Sequence, residues 1–334
     1  MAGFLEVVPS LCVSERYDSN VYYLPATPGV TRNDFVTHVS PTLLVNHNGS
    51  YASGVLSAGG FSETYVNNPN VDFYGTNSSL FLNLDNSIKR VLPHASLRIT
   101  DVVRYAPTPP GFSSLAPGTS PGAPVNTTNV YAQGFLSQRT NNVTNTATVS
   151  ASYATTASTS VEASYSYAIL RFGSSPVATQ TNLFDTTTHT GIVAGTVQVS
   201  GRDILSPKYT HVQTDFSSSA LSSSVQSDIA TLNWSRTLTP NLVAELGGGG
   251  VMIHPGLTTY AANAALIMRA QKTSTTINYV RTAVPNFQAA GVVIISDIFS
   301  VSATQDLDQH WQLVEAANYA TGFGSGIKYD SYAA

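Results

Sequence analysis

A chain of 334 residues with only 10% charged side chains cannot cover a water-facing surface in the way of ordinary soluble domains, where about a quarter are charged. Hydrophobic content is nonetheless 42%, and Ser, Thr, Asn, Gly and Tyr make up much of the rest. The formal net charge of −4 points away from a nucleic-acid partner, and a single cysteine, Cys12, excludes an internal disulfide. No stretch reaches the ~18 to 20 apolar residues of a membrane helix. Two classes remain: a membrane β-barrel, whose outer band needs few charges, and a secreted, soluble β-rich adhesin or surface protein.

Period-two alternation of apolar and polar residues is the main structural signal, and it means strands with two unlike faces. The first strand is predicted over about Leu5 to Tyr17, with Leu5, Val7, Leu11 and Val13 on one side. A polar, Pro-containing loop to Asn33 follows. The second strand sets Phe35, Val39, Leu43 and Val45 against Asp34, His38, Ser40 and Asn46. Asn48-Gly49 then suggests a type I′ hairpin turn, since both residues tolerate positive φ. The third strand, about Tyr51 to Tyr65, is glycine-rich and alternates poorly. The fourth carries Leu80, Leu82 and Leu84 opposite Ser79, Asn83 and Asp85. A turn near Lys89-Arg90 leads to a fifth with Leu97, Ile99, Val103 and Tyr105 opposite Arg98, Thr100 and Arg104.

The segment 106–140 is rich in Pro, Gly, Ser and Asn, and it is expected to be a long extracellular loop rather than a linker, because the same strand grammar resumes after it. Strands six (Val143 to Tyr153) and seven (Val161 to Ile169) form the cleanest hairpin. Strands eight (His189–Ser200) and nine (Ile204–Phe216) are joined by Gly201-Arg202-Asp203. Phe216 to Ser224 reads as a flexible outer loop. From Asp228 to Leu266 come two further hairpin units: Ala230, Leu232 and Trp234 oppose Ile229, Thr231, Asn233 and Ser235, and Tyr260, Ala262, Ala264, Leu266 and Met268 share a face. Strand thirteen spans about Thr275–Val284, with Pro285-Asn286-Phe287-Gln288 after it. Strand fourteen spans Val292–Gln305. After Asp306 to His310 a fifteenth carries Trp311, Leu313, Ala317 and Tyr319, and a sixteenth opens near Ile327.

Connections after even-numbered strands are short, and those after odd ones are mostly longer and variable. That alternation belongs to an up-and-down barrel with short periplasmic turns and long outer loops. The expectation is one all-β domain over 1–334: a transmembrane antiparallel up-and-down β-barrel of at least sixteen strands, with its amino terminus periplasmic. Met1-Ala2-Gly3-Phe4 begins no secretory signal, and the last strand stops at Ala334. Both suggest a fragment lacking a signal peptide and its C-terminal end.

Three motifs carry a family resemblance across the chain: Glu15-Arg16-Tyr17-Asp18-Ser19-Asn20-Val21-Tyr22, Trp234-Ser235-Arg236-Thr237-Leu238-Thr239-Pro240-Asn241-Leu242 and Leu307-Asp308-Gln309-His310-Trp311. The chain resembles the outer-membrane β-barrel porins of Gram-negative bacteria, in particular those found with exopolysaccharide and exosortase-type systems. The resemblance implies the cell outer membrane as location and a porin-like channel for diffusion or export of small polar solutes or polysaccharide. Its implied partner is outer-membrane lipid.

Catalytic patterns are scarce. The seven histidines show no metal-ligand spacing, and there is no Gly-x-Ser-x-Gly turn. Asp215 near His211 imitates half of a protease site but reads as a solvated loop pair. Gly247 to Gly250 precedes no helix, so it is a bend or close approach rather than a phosphate loop. A non-enzymatic barrel without metal or cofactor is expected. Its lumen-facing charges would be Asp85, Arg98, Arg104, Glu162, Lys208, Glu245 and Arg269, setting selectivity by sign. Tyr105, Tyr153, Tyr165, Tyr167, Trp234, Trp311 and Tyr319 would anchor the membrane interfaces.

Overall fold

The computed structural model describes residues 4–19, 21, 31–108, 111–114, 133–136, 140–173, 183–217, 222–254, 256–285, 292–308, 311–324 and 327–333. Sixteen strands form one antiparallel sheet: β1 (Phe4–Asp18), β2 (Asp34–Asn48), β3 (Ser53–Tyr65), β4 (Phe73–Asn83), β5 (Ala95–Thr108), β8 (Thr140–Ala154), β9 (Thr159–Phe172) and β10 (Asp185–Gln198) make its first half. The second half is β11 (Asp203–Ser217), β12 (Ser222–Thr239), β13 (Leu242–His254), β14 (Leu257–Arg269), β15 (Thr273–Pro285), β16 (Val293–Asp306), β17 (Gln312–Gly324) and β18 (Ile327–Ala333). Spatial order follows chain order throughout, the up-and-down arrangement that the alternation of connections implies. Among the described residues nothing pairs β1 with β18, so ring closure, part of the expected barrel, is not formed by these strands.

The two ends of the sheet differ. At one, the turn end, the connections 49–52, 155–158, 199–202, 240–241, 270–272 and 307–311 are short. The exception is 84–94, which winds through the helical turn α1 (Asp85–Ile88). At the other, the loop end, lengths range from 255–256 to the connection between β5 and β8. Within that connection β6 (Gly111–Ser114) and β7 (Gln133–Leu136) pair as a small hairpin, so 106–140 is not without structure; most of it lies outside the described residues. The hairpin lies against β15 and β18. β15 stands seven places beyond β8 in the sheet, so the hairpin reaches far from the strands that carry it.

Several local expectations need correction. Asn48-Gly49 does turn the chain, but Asn48 pairs with Ser53 across a four-residue connection closed by Gly49 N–H donating to Ala52 O at 2.9 Å. Among the described glycines only Gly256, at φ 91°, takes the left-handed conformation; it closes the turn from β13 to β14. Phe216 to Ser224 is largely strand, with Phe216 paired to Ser223 and Ser217 to Ser222; residues 218–221 lie outside the described residues. Ser217, Ser222, Ser223 and Ser224 stand in the ladder, where composition alone suggested a loop. Asn20, Tyr22, Asn286, Phe287, Gln288, Gln309, His310 and Ala334 also fall outside.

Directly paired residues of an antiparallel ladder point to the same side, so the registers trace two faces across the sheet. One is apolar and exposed: Leu11, Leu43, Leu56, Val149, Tyr165, Val193, Leu232, Leu246, Tyr260, Leu266, Ile277, Phe299 and Leu313 all belong to it. The other, the hydroxyl face, is more buried and carries Thr144, Thr146, Thr188, Thr190, Thr210 and Thr214. Its hydroxyls bond laterally between paired strands, Ser96 with Ser152 at 2.6 Å, Thr148 with Ser166 at 3.0 Å and Thr188 with Thr214 at 3.2 Å. In β13 the contrast is sharp: Val251 is 1% exposed and its neighbour Met252 51%.

Gly247 and Gly249 stand on the hydroxyl face of β13; at Gly249 the close approach is to backbone and requires glycine, whereas at Gly247 it is to side-chain ends that can shift. A Cβ on Gly247 would collide with the Asn233 and Asn263 carboxamide oxygens, and one on Gly249 with the Ala230 carbonyl. Gly250, on the apolar face, has open space. The Gly247–Gly250 run is therefore an uninterrupted strand with close packing on one side, not a bend. Gly249→Ala is expected to lower stability by about 1–3 kcal/mol, while Gly250→Ala leaves it unchanged or raises it by up to ~1 kcal/mol. Equilibrium urea unfolding of the refolded protein measures both.

Candidate functional site

The apolar face is bounded by aromatic residues whose polar atoms bond to charged neighbours. Toward the loop end Tyr209 Oη donates to Asp228 Oδ1 at 2.6 Å, Tyr279 Oη to Asp297 Oδ1 at 2.7 Å and Tyr319 Oη to Asp330 Oδ1 at 3.1 Å. Tyr165 Oη meets His189 Nδ1 at 2.6 Å. In each pair the acceptor or partner lies diagonally across the ladder, one step farther toward the loops. Toward the turn end Trp234 Nε1 donates to Asp203 Oδ1 at 3.0 Å. The ring lies on the apolar side and the polar atom on the wet side, the placement that amphipathic aromatics favour at a membrane–water boundary. Between these rims β14 presents Tyr260, Ala262, Ala264, Leu266 and Met268. At about 3.3 Å per residue and a tilt near 40°, such a run spans roughly 20–25 Å.

Ionisable groups cluster above that band. His211 Nδ1 lies 2.8 Å from Asp228 Oδ1, and His254 Nε2 lies 3.2 Å from Asp228 Oδ2, so one carboxylate on β12 ties β11 and β13. His211 thus partners Asp228 rather than Asp215, which accepts from Gln213, and both residues are in strand β11 instead of a loop. Arg281 Nη1 sits 2.7 Å from Asp297 Oδ2 and stacks over the Tyr260 ring at 4.3 Å.

On the hydroxyl face the registers place Arg98, Arg104, Glu162, Lys208, Glu245 and Arg269 on one side of the sheet, distributed over β5, β9, β11, β13 and β14. Asp85 is not among them. Strand β4 ends at Asn83, whose Oδ1 accepts the Asp85 N–H, and Asp85 opens α1, where its Oδ1 accepts the Leu97 N–H at 3.0 Å and its Oδ2 lies 3.8 Å from Lys89 Nζ. Its role is to fold the turn.

A charged contact linking three strands on this face was hidden in the sequence. Glu63, 9% exposed, receives Arg16 Nη1 at 3.1 Å and Tyr65 Oη at 2.9 Å, with His38 Nδ1 at 3.5 Å. It ties β1, β2 and β3 together, with Arg104 of β5 attracted to it as well. Glycines in β3 blur the alternation that would have assigned Glu63 to a face; counting pairs back from the Asn48 turn recovers it.

The hydroxyl face is not polar throughout. Toward the loop end Leu170, Val212, Phe216, Val225, Ile229, Val251 and Ile253 pack with Phe184, and Val21, Val36, Tyr65 and Val71 form a second group. Farther toward the turn end a recess of about 230 Å³ opens between β11 and β15, lined by Ser206, Lys208, Thr231, Asn233, Glu245 and Asn263. Among the described residues neither Lys208 nor Glu245 has an ion-pair partner. No group of three or more His, Cys, Asp or Glu able to hold a metal occurs among the described residues.

No family model matches the chain, and no curated protein does, so the porin resemblance rests on its short motifs. Solved structures do resemble it. The ferric enterobactin receptor PfeA of Pseudomonas aeruginosa, as the G324V mutant, has 12% identity and a TM-score of 0.49, over 95% of this chain and 53% of that one. The siderophore receptor PirA of Acinetobacter baumannii has 8% identity and a TM-score of 0.49, over 98% of this chain and 57% of that one. PiuA of the same organism has 10% identity and a TM-score of 0.48, over 99% and 66%. The chain thus spans about half the length of the first of these. Likeness of this degree establishes neither family nor cargo.

Glu63→Gln keeps the shape but removes the charge facing Arg16, a half-exposed partner, and is expected to cost about 1 kcal/mol. Arg16→Met should cost no more than that, and the two together less than their sum, in a double-mutant cycle read by urea unfolding.

Proposed function

We propose that this chain forms the wall of a β-barrel in the outer membrane of a Gram-negative bacterium, with the apolar face against lipid and the hydroxyl face lining a passage for small polar solutes, saccharides among them. One observation carries the reading: an exposed apolar band, broken by the Asp101–Asn145 pair and by Glu315, ends in outward hydrogen-bonded tyrosines at the loop edge and in Trp234 at the turn edge. A soluble monomer rarely shows a contiguous apolar patch above roughly 300–600 Å², and this one runs along most of the sheet. Lipid also requires every backbone group to be paired, which a sheet meets only as a closed ring. The strands at the two edges must therefore find partners before insertion.

The polar wall acts through its charges. Arg98, Arg104, Lys208 and Arg269 against Glu162 and Glu245 bias passage by sign and position. The β6–β7 hairpin narrows the path where it reaches β15 and β18, and the apolar groups at the loop end reduce it further. Transport by such a wall is passive and non-enzymatic.

Three measurements test this. The refolded protein should conduct ions in planar bilayers, and removal of 111–136 should raise single-channel conductance. Leu232→Arg, on the lipid side, should destabilise the protein in vesicles by about 2–4 kcal/mol. A chain that stays folded and monodisperse in plain buffer would instead be a soluble surface protein, and the proposal would fail.

A further inference from the structure

The recess between β11 and β15 has an unusual charge arrangement. Lys208 pairs in the ladder with Thr231, and Glu245 with Ser235, four residues farther along β12 on the same face. Two strand spacings and four residues of rise separate their backbones by roughly 16 Å. Neither charge has an ion-pair partner among the described residues. The carboxamides of Asn233 and Asn263 flank Gly247, whose missing side chain leaves them room. Trp234 and Arg281 also border the recess; the registers assign both to the opposite face, and Arg281 is already paired with Asp297.

We propose that this recess binds short zwitterionic peptides of two or three small residues. Lys208 takes the terminal carboxylate and Glu245 the terminal ammonium. Asn233, Asn263, Thr231 and Ser206 exchange hydrogen bonds with the peptide groups between. An extended peptide advances about 3.5 Å per residue, so the two long side chains close the remaining gap. A saccharide of equal size satisfies the amides but leaves both charges without a counter-charge, and a single amino acid is too short. The inference rests on reading the hydroxyl face as a solute-accessible wall, and it names the solute class for that wall.

The test is isothermal titration of the detergent-refolded protein with trialanine, its N-acetylated form, its C-terminal amide and maltotriose. Trialanine is expected to bind at millimolar strength, and capping either end to weaken binding about tenfold. In Lys208→Met the C-terminal amide should bind as well as free trialanine, while N-acetylation still weakens it. Glu245→Gln should show the reverse. Equal binding of capped peptides or maltotriose, or no heat from trialanine up to about 10 mM, overturns the proposal. Conductance in bilayers is recorded separately. Binding without conductance would remove the channel and keep the site; conductance without binding would remove the site alone.

Discussion

Everything in this protein depends on backbone pairing within a single sheet that has unlike faces. Sixteen strands satisfy one another's amides in simple succession, so side chains are free to answer two different surroundings. Because side chains alternate strictly along a strand, a shift by one residue would exchange the two faces, carrying Leu232 and Leu246 to the hydroxyl side and Thr188 and Thr210 to the apolar side. The close approach of Gly249 to the Ala230 carbonyl fits that register in β13, where the hydrophobic pattern is weak, and lateral hydroxyl bonds do the same between β5 and β8, β8 and β9, and β10 and β11.

The rims of the apolar band add a second constraint, at right angles to the first. A tyrosine can sit at many depths in a strand, but one whose hydroxyl must reach Asp228, Asp297 or Asp330 on the next strand sits at one. Trp234 and Asp203 do the same at the opposite edge. The sheet is thus fixed along its own axis as well as across it. Asp228, held by Tyr209, His211 and His254, is the most heavily used of these points and joins three strands.

Strand positions and the order of connections were legible from alternation and turn residues, since both are local. Asp228 to Leu266 reads correctly because Ala230, Leu232 and Trp234 alternate cleanly with Thr231, Asn233 and Ser235. What was not legible required knowing which strand faces which. His211 is four residues from Asp215 in sequence but bonds across the ladder to Asp228. Glu63 was lost because Gly54, Gly59 and Gly60 carry no face information. The Phe216–Ser224 run looked like a loop because serine serves loops and hydroxyl-lined strands alike. Asp85 looked like the end of a strand because the break at Leu84 is made by the Asn83 side chain, which period-two counting cannot see.

The lateral bonds among serines and threonines bear on how a molecule would travel along that wall. In Ser96 with Ser152, Thr148 with Ser166 and Thr188 with Thr214 one hydroxyl hydrogen of each pair is spent on the partner, and the second hydrogen is not used between them. The buried hydroxyls of Thr210, Thr231 and Ser296 have no hydrogen-bond partner among the described residues. A face built this way keeps donors in reserve, so a polar molecule moving along it would trade water for protein hydrogen bonds step by step.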